Sequence, residues 1–226
     1  MPNHVRNRLT IIAAPERVQE ILERIKYDEH GIGRIDFNKI IPMPASLNVD
    51  VGSYSHHALQ FYARYVGADA QTREELIAEF EADQKLIDFG ALLWDNKQKH
   101  GATDWYTWSL VNWGTKWNSY GYDDTMEHDG RNVIEFETAW SCPEPVIIAL
   151  SQMYPDARFR HLWADEDTGS NVGEITYVDG EEVEYDVPIA QSKEAYELAE
   201  DAWGINLADY YDYDESIGTY VYREEE

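Results

Sequence analysis

The chain has 226 residues, long enough for one large domain or two small ones, with 43% hydrophobic residues from which to build a core without staples. It carries 44 acidic against 18 basic side chains, a net charge of -26. A field of that sign repels nucleic acid and anionic lipid and attracts basic partners, so direct nucleic-acid binding and membrane docking are not expected.

The acidity is uneven. From Asp165 to the end there are 20 acidic residues against Lys193 and Arg223, while the first 164 residues hold 24 against 16. A halophile would be acidic throughout, so this concentration suggests a local purpose. The one cysteine, Cys142, cannot form an internal disulfide and suits a reducing cytosol. The first residues lack the apolar stretch of a signal peptide, and no run approaches the roughly 20 apolar residues that span a bilayer. The expected setting is the host cytoplasm.

In chain order, "HVRNRLTII" alternates Val5, Asn7, Leu9 and Ile11 against Arg6, Arg8 and Thr10, the pattern of a half-buried strand. Pro15 suits a first helical turn, and Val18, Ile21, Leu22 and Ile25 form an apolar stripe. "GIGRIDFNKIIPMP" reads as a second strand. From 53 to 114 the period becomes helical. One helix is expected over about 54–66, ending at Gly67. A second opens with Thr72 and Glu75 at capping-box spacing and continues through Leu76, Phe80, Ile87 and Trp94. Adjacent His56 and His57 point about 100° apart on a helix and do not make a metal pair.

Strands return after Trp117. "NVIEFETAW" puts Ile134, Phe136, Thr138 and Trp140 on one face and Glu135 and Glu137 on the other. Ser141 and Glu144 have capping-box spacing before a short helix. "ARFRHLWAD" alternates again, with Phe159 and Trp163 inward and Arg158 and Arg160 outward. A hairpin is expected to turn at Asp179-Gly180, and an amphipathic helix to run over about 192–203. Removing the helical insertion leaves β-α-β followed by β-α-β, which makes a ferredoxin-like antiparallel sheet with two helices. The expected class is α+β, with a split core over 1–45 and 115–180, a helical insertion over 46–114 and an acidic C-terminal segment over 181–226.

"MPNHVRNRLTI", "DFNKIIPMP", "NWGTKWN" and "FETAWSCP" through "WADEDTGSNVG" together resemble the YubB-like family of plasmid- and phage-encoded proteins. The resemblance spans about residues 1–175 and implies a ferredoxin-like domain and a mobile-element setting. It brings no catalytic residues and no cofactor.

Candidate sites are few. "DEDTGSNVGE" from Asp165 misses the calcium-loop pattern, because Gly169 falls at position 5 rather than 6. No phosphate loop, HExxH, CxxC pair or nucleophile elbow is present, so neither a metal nor an enzyme is expected. The aromatic run holding Trp105, Tyr106, Trp108, Trp113, Trp117, Tyr120 and Tyr122 reads mainly as core where the insertion rejoins its parent domain. Its alternative is a stacking site for a ligand or a nucleic acid, built on Asn112, Trp113, Lys116 and Trp117. The ending "NLADYYDYDESIGTYVYREEE" has too many tyrosines for an ordinary disordered tail. Asp209, Asp212, Asp214, Glu215, Glu224, Glu225 and Glu226 are therefore the candidate partner-binding residues. The leading reading is a non-enzymatic protein of a mobile element that binds a basic host protein, such as a nucleic-acid-binding defence protein, through its acidic surface. Its sharpest version is a DNA mimic that blocks a defence or DNA-processing protein.

Overall fold

The computed structural model describes residues 3–29, 31–122 and 128–223. The chain forms two compact units, residues 1–42 with 112–226, and residues 43–111.

In the first unit, β1 (His4–Ile12) leads into α1 (Pro15–Ile25), which starts on its proline and buries Val18, Ile21, Leu22 and Ile25. A small hairpin follows, β2 (Lys26–Tyr27) with β3 (Gly31–Ile35), and then a 3-10 turn at Phe37–Lys39 capped by Asp36. The expected long second strand therefore ends at Ile35, because the Asp36 side chain accepts from Asn38 N–H and starts the turn. After the other unit come β4 (Val133–Ala139), α6 (Glu144–Met153, numbered after α2–α5 of the other unit), β5 (Arg158–Asp165), β6 (Val172–Val178) and β7 (Glu181–Asp186). α7 (Lys193–Trp203) and the hairpin β8 (Tyr211–Asp214) and β9 (Thr219–Tyr222) end the described chain.

The main sheet has the order β4-β1-β5-β6-β7, antiparallel throughout. β4 and β5 flank β1 and are joined through α6, which is the split β-α-β crossover of a ferredoxin-like fold. The protein is accordingly α+β with a ferredoxin-like domain. β6 and β7 extend the sheet, turning at Asp179 and Gly180, both at positive φ as a two-residue hairpin turn requires. One face buries Val5, Leu9, Ile11, Ile134, Phe136, Phe159, Ile175 and Tyr177.

On the opposite face α7 covers Leu162, Ala164 and Val172 with Ala195, Ala199 and Ala202, whose small side chains allow close approach. The rest of that face is a ladder of charges. Arg6 pairs with Glu135 and Glu137, Arg8 with Glu135 and Asp201, Arg158 with Glu184, and Arg160 with Glu174. Each partly exposed pair contributes only about 0.2–1 kcal/mol, so the ladder fixes register more than it stabilises.

The second unit is helical: α2 (Ser53–Tyr65), α3 (Ala70–Glu79), α4 (Gln84–His100) and α5 (Trp105–Asn112, whose last residue belongs to the first unit). Its core gathers Ala58, Phe61, Leu76, Leu86 and Leu93. The expected single helix through Trp94 is broken in two. Glu81 takes φ 50 and Asp83 caps a new start, its side chain accepting from Leu86 N–H. The cap of α3 is Asp69, which accepts from Thr72 N–H, rather than Thr72 itself. His56 and His57 are both exposed. His56 meets Gln60, and the His57 ring lies on Phe80.

Candidate functional site

The C-terminal surface is built on α7. Ser192 caps the helix by accepting from Ala195 N–H, and Gly204 stops it at φ 65. The two-residue alternation of β8 then sorts its side chains. Tyr211 and Tyr213 fall on one face, and Asp212 and Asp214 on the other. Tyr196 of α7 meets the rings of Tyr211 and Tyr220 at 5.1 and 5.4 Å, and its hydroxyl donates to Gln191 Oε1. Tyr213 and Tyr220 pair across the hairpin at 5.3 Å, and Thr219 Oγ1 donates to the Gln191 carbonyl. Tyr211 and Tyr220 therefore belong to the packing that holds the hairpin on α7, while Tyr210, Tyr213 and Tyr222 are exposed.

The carboxylates are held as well. Asp212 accepts from Arg223 at 2.6 Å, which keeps its carboxyl below the usual range. Asp214 accepts from Ser216 Oγ and N–H at the hairpin turn and is lowered by those bonds. Asp209 accepts from Asn206 Nδ2, and Glu215 is exposed at the turn. Glu224, Glu225 and Glu226 lie outside the described residues. Across 181–223 there are twelve acidic residues against Lys193 and Arg223, so β7, α7 and the hairpin form a strongly anionic part of the unit.

The part of the aromatic stretch from Trp113 to Tyr122 is the seam of the first unit. Trp113 is only 5% exposed, stands edge-on to Phe37 at 5.8 Å and donates its indole N–H to the Ile41 carbonyl. Gly114 holds φ 76 where a Cβ would sit 2.8 Å from Pro145. Thr115 Oγ1 donates to the Ala139 carbonyl, and Asn118 Oδ1 accepts from Phe37 N–H. Tyr120 exchanges two backbone hydrogen bonds with Glu137 on the outer edge of β4. Tyr122 accepts from Ile35 N–H and donates to Ser119 Oγ. The segment thus joins β3 to β4 by side chains and one bridge rather than as the strand expected after Trp117.

The core reading fails for Trp117, which is 38% exposed. Lys116 Nζ lies 4.4 Å from the Trp117 ring and 4.9 Å from that of Trp140. Trp140, expected on the inner face of β4, is 40% exposed at φ 75. Its N–H donates to the Asn3 carbonyl, and its own carbonyl accepts from Asn171 Nδ2. The backbone leaves the strand conformation at Trp140 and turns the ring outward. Asn112 is half-buried at the end of α5. Of the four candidate ligand residues, then, Lys116 and Trp117 reach the surface with Trp140, while Trp113 is core. His4 continues this arc, its Nδ1 2.9 Å from the Tyr120 hydroxyl and 3.5 Å from Glu137.

Other residues offer less chemistry. Burial pushes the Cys142 thiol up to about 12, which leaves almost no thiolate at neutral pH. Ser141, expected to cap α6, instead donates to the Gly114 carbonyl, and Pro143 precedes the helix. Asp165 accepts from Asn3, Asn171 and Asp167 N–H, so its loop is closed by amides. No group of three or more potential metal ligands occurs among the described residues. No helix among them is long and apolar enough to cross a membrane.

The fold and this geometry define the class, an α+β protein with a ferredoxin-like domain. Residues 112–206 match the family model described as the ferredoxin-like domain in Api92-like protein, a region running from the end of α5 through α7. The chain is also similar to a solved structure, a protein api92 from Yersinia pseudotuberculosis, with 12% identity over 84% of this chain and 99% of that one, at a TM-score of 0.38. No curated protein matches. The matched description is Api92-like and does not name the YubB-like family that the motifs resemble.

Proposed function

We propose that this is a non-catalytic protein of a mobile genetic element that binds a basic host protein through its acidic C-terminal surface. In its sharpest form it is a DNA mimic that occupies the basic groove of a defence or DNA-processing protein in the host cytoplasm. The mobile-element setting comes from the sequence resemblance. The observation that carries the binding mode is the docked hairpin, because a mimic of phosphates needs charges at fixed positions. Asp212 and Asp214 share a face of β8, about 7 Å apart along the strand. Such a surface steers association more than it sets final affinity.

The test changes Asp209, Asp212, Asp214 and Glu215 together to Asn or Gln. A basic partner captured from host lysate is then titrated with parent and variant across a salt series. Association at low salt is expected to slow by roughly tenfold and its salt dependence to flatten, with no collapse of the fold. Equal rates at every salt concentration would remove the mimic reading and leave the acidity as a solvated surface. Unfolding of the quadruple variant would show that the carboxylates serve the turn.

A second reading is favoured by one feature, the outward-facing Trp117 and Trp140. A bulky aromatic at positive φ costs on the order of 1–3 kcal/mol, and strain of this kind concentrates at functional sites. This reading makes the Lys116, Trp117 and Trp140 arc a ligand-stacking site. Trp140→Gly is expected to leave the melting temperature unchanged or raised, since glycine adopts φ 75 freely. A loss of several degrees would instead mark Trp140 as a packing residue.

A further inference from the structure

The helical unit holds a cavity of about 740 Å³ between α2, α4 and the segment before α2. That volume falls inside the roughly 300–1,000 Å³ of small-molecule sites. Its walls include Asp50, Tyr54, Lys85, Asp88, Phe89 and Leu92. Tyr54 and Phe89 stack at 5.6 Å with their planes 12° apart, which ties the first turn of α2 to the middle of α4. Yet Tyr54 remains 47% exposed and Leu92 38% exposed. An apolar wall is thus left partly open at the edge of the unit's core, where Val49 and Phe89 pack against the cluster of Phe61, Leu76 and Leu93.

The polar groups decide what such a wall accepts. Asp88 accepts from Gln84 Nε2 at 2.7 Å, a neutral donor that does not offset its charge. Neither Asp50 nor Asp88 has an ion-pair partner among the described residues. Lys85 stands three residues before Asp88 on the same helix, so the walls carry two negative charges against one positive. The unit as a whole, 43–111, has ten acidic and five basic residues. The faces of Tyr54 and Phe89 add a second attraction for a cation, through the ring quadrupole. Carboxylates, aromatic faces and apolar wall all select the same chemistry.

The geometry points to a binding site for an organic cation with an aromatic or apolar body, its ammonium toward Asp50 and Asp88 and its body against Tyr54, Phe89 and Leu92. This site lies wholly within residues 43–111 and does not depend on the acidic C-terminal surface.

The full-length protein would be titrated with phenethylammonium, with phenylacetate as the anionic counterpart and propylammonium as the cation without a ring, following backbone amide shifts. Phenethylammonium is expected to move the amides of 48–54 and 85–92, propylammonium to act at least several-fold more weakly, and phenylacetate to leave them unchanged. Asp50→Asn with Asp88→Asn should weaken binding by about three- to tenfold, as two partly exposed ion pairs would. Leu92→Lys, which places a cation in the cleft at an exposed helical position, should weaken it at least tenfold with the helical circular dichroism retained. Equal shifts from phenylacetate would overturn the proposal. So would shifts scattered over acidic residues outside the cleft, or unchanged affinity in both variants.

Discussion

Trp113→Ala will lower the unfolding free energy by about 3–5 kcal/mol, the cost of emptying a large aromatic site that cannot fully collapse. The indole fills the space beside Phe37, whose ring also meets Phe136 of β4 at 6.0 Å, so the cavity would open between β4 and the 3-10 turn after β3. The substitution also strips the Ile41 carbonyl of its indole donor, a buried loss added to the packing loss. Trp117→Ala, four residues on, removes a ring that is 38% exposed and lies beside Lys116 rather than in the core, and should cost clearly less, about 1 kcal/mol. Urea unfolding followed by far-ultraviolet circular dichroism compares the two. Similar costs for both would show that the seam is not organised around Trp113.

That contrast explains what the sequence could and could not reveal about this region. Composition identifies seven large aromatics between 105 and 122, but not which of them faces solvent. The decision is made by short polar neighbours that reach far along the chain, Thr115 to Ala139 and Asn118 to Phe37. Those bonds place Trp113 inward and leave Trp117 out. Trp140 illustrates a different failure. Alternation assigns it to the inner face with Ile134 and Phe136, and it holds as far as Thr138, but a positive φ at Trp140 ends the parity. Nothing in the residue type announces that turn.

Where the backbone stays regular, sequence reasoning succeeds. β1 and β4 follow their alternation, β5 does so through His161 until α7 covers its other face, α1 begins at Pro15, and the β6–β7 hairpin turns at Asp179 and Gly180. The break between α3 and α4 was hidden because neither glycine nor proline marks it, and Glu81 pays for its left-handed geometry through the fold around it. Competing caps add a further ambiguity. Asp69 and Thr72 are both good N-caps three residues apart, and only the structure shows that Asp69 takes the role. The cleft of the helical unit could not be read at all, since Asp50, Tyr54 and Leu92 converge only through the packing of α2 on α4.

Acid will destabilise this protein through His161, a residue that alternation carries inward between Phe159 and Trp163. It is 0% exposed, and burial lowers its pKa from 6.5 to about 3. Nε2 lies 3.0 Å from Asn7 Oδ1, which fixes Nε2 as the protonated nitrogen, since the Asn7 amide nitrogen donates to the Val5 carbonyl and Thr138 Oγ1. Nδ1 is buried without a hydrogen-bond partner among the described residues, so a second proton would have nowhere to be solvated. The unfolded chain takes up that proton near pH 6.5 and the folded one does not until about pH 3. The stabilisation is therefore complete above pH 6.5 and is lost as pH falls from there toward 3. The slope is about 1.4 kcal/mol per pH unit, on the order of 4–5 kcal/mol in total. Protonation of the 44 carboxylates acts in an overlapping range, so the measurement is a difference between parent and His161→Gln, whose amide can still donate to Asn7. Urea unfolding at pH 7, 6, 5 and 4 should show the parent losing stability more steeply than the variant by that slope. Parallel curves would mean that His161 gains its proton in the folded state, through water or a local opening of the sheet.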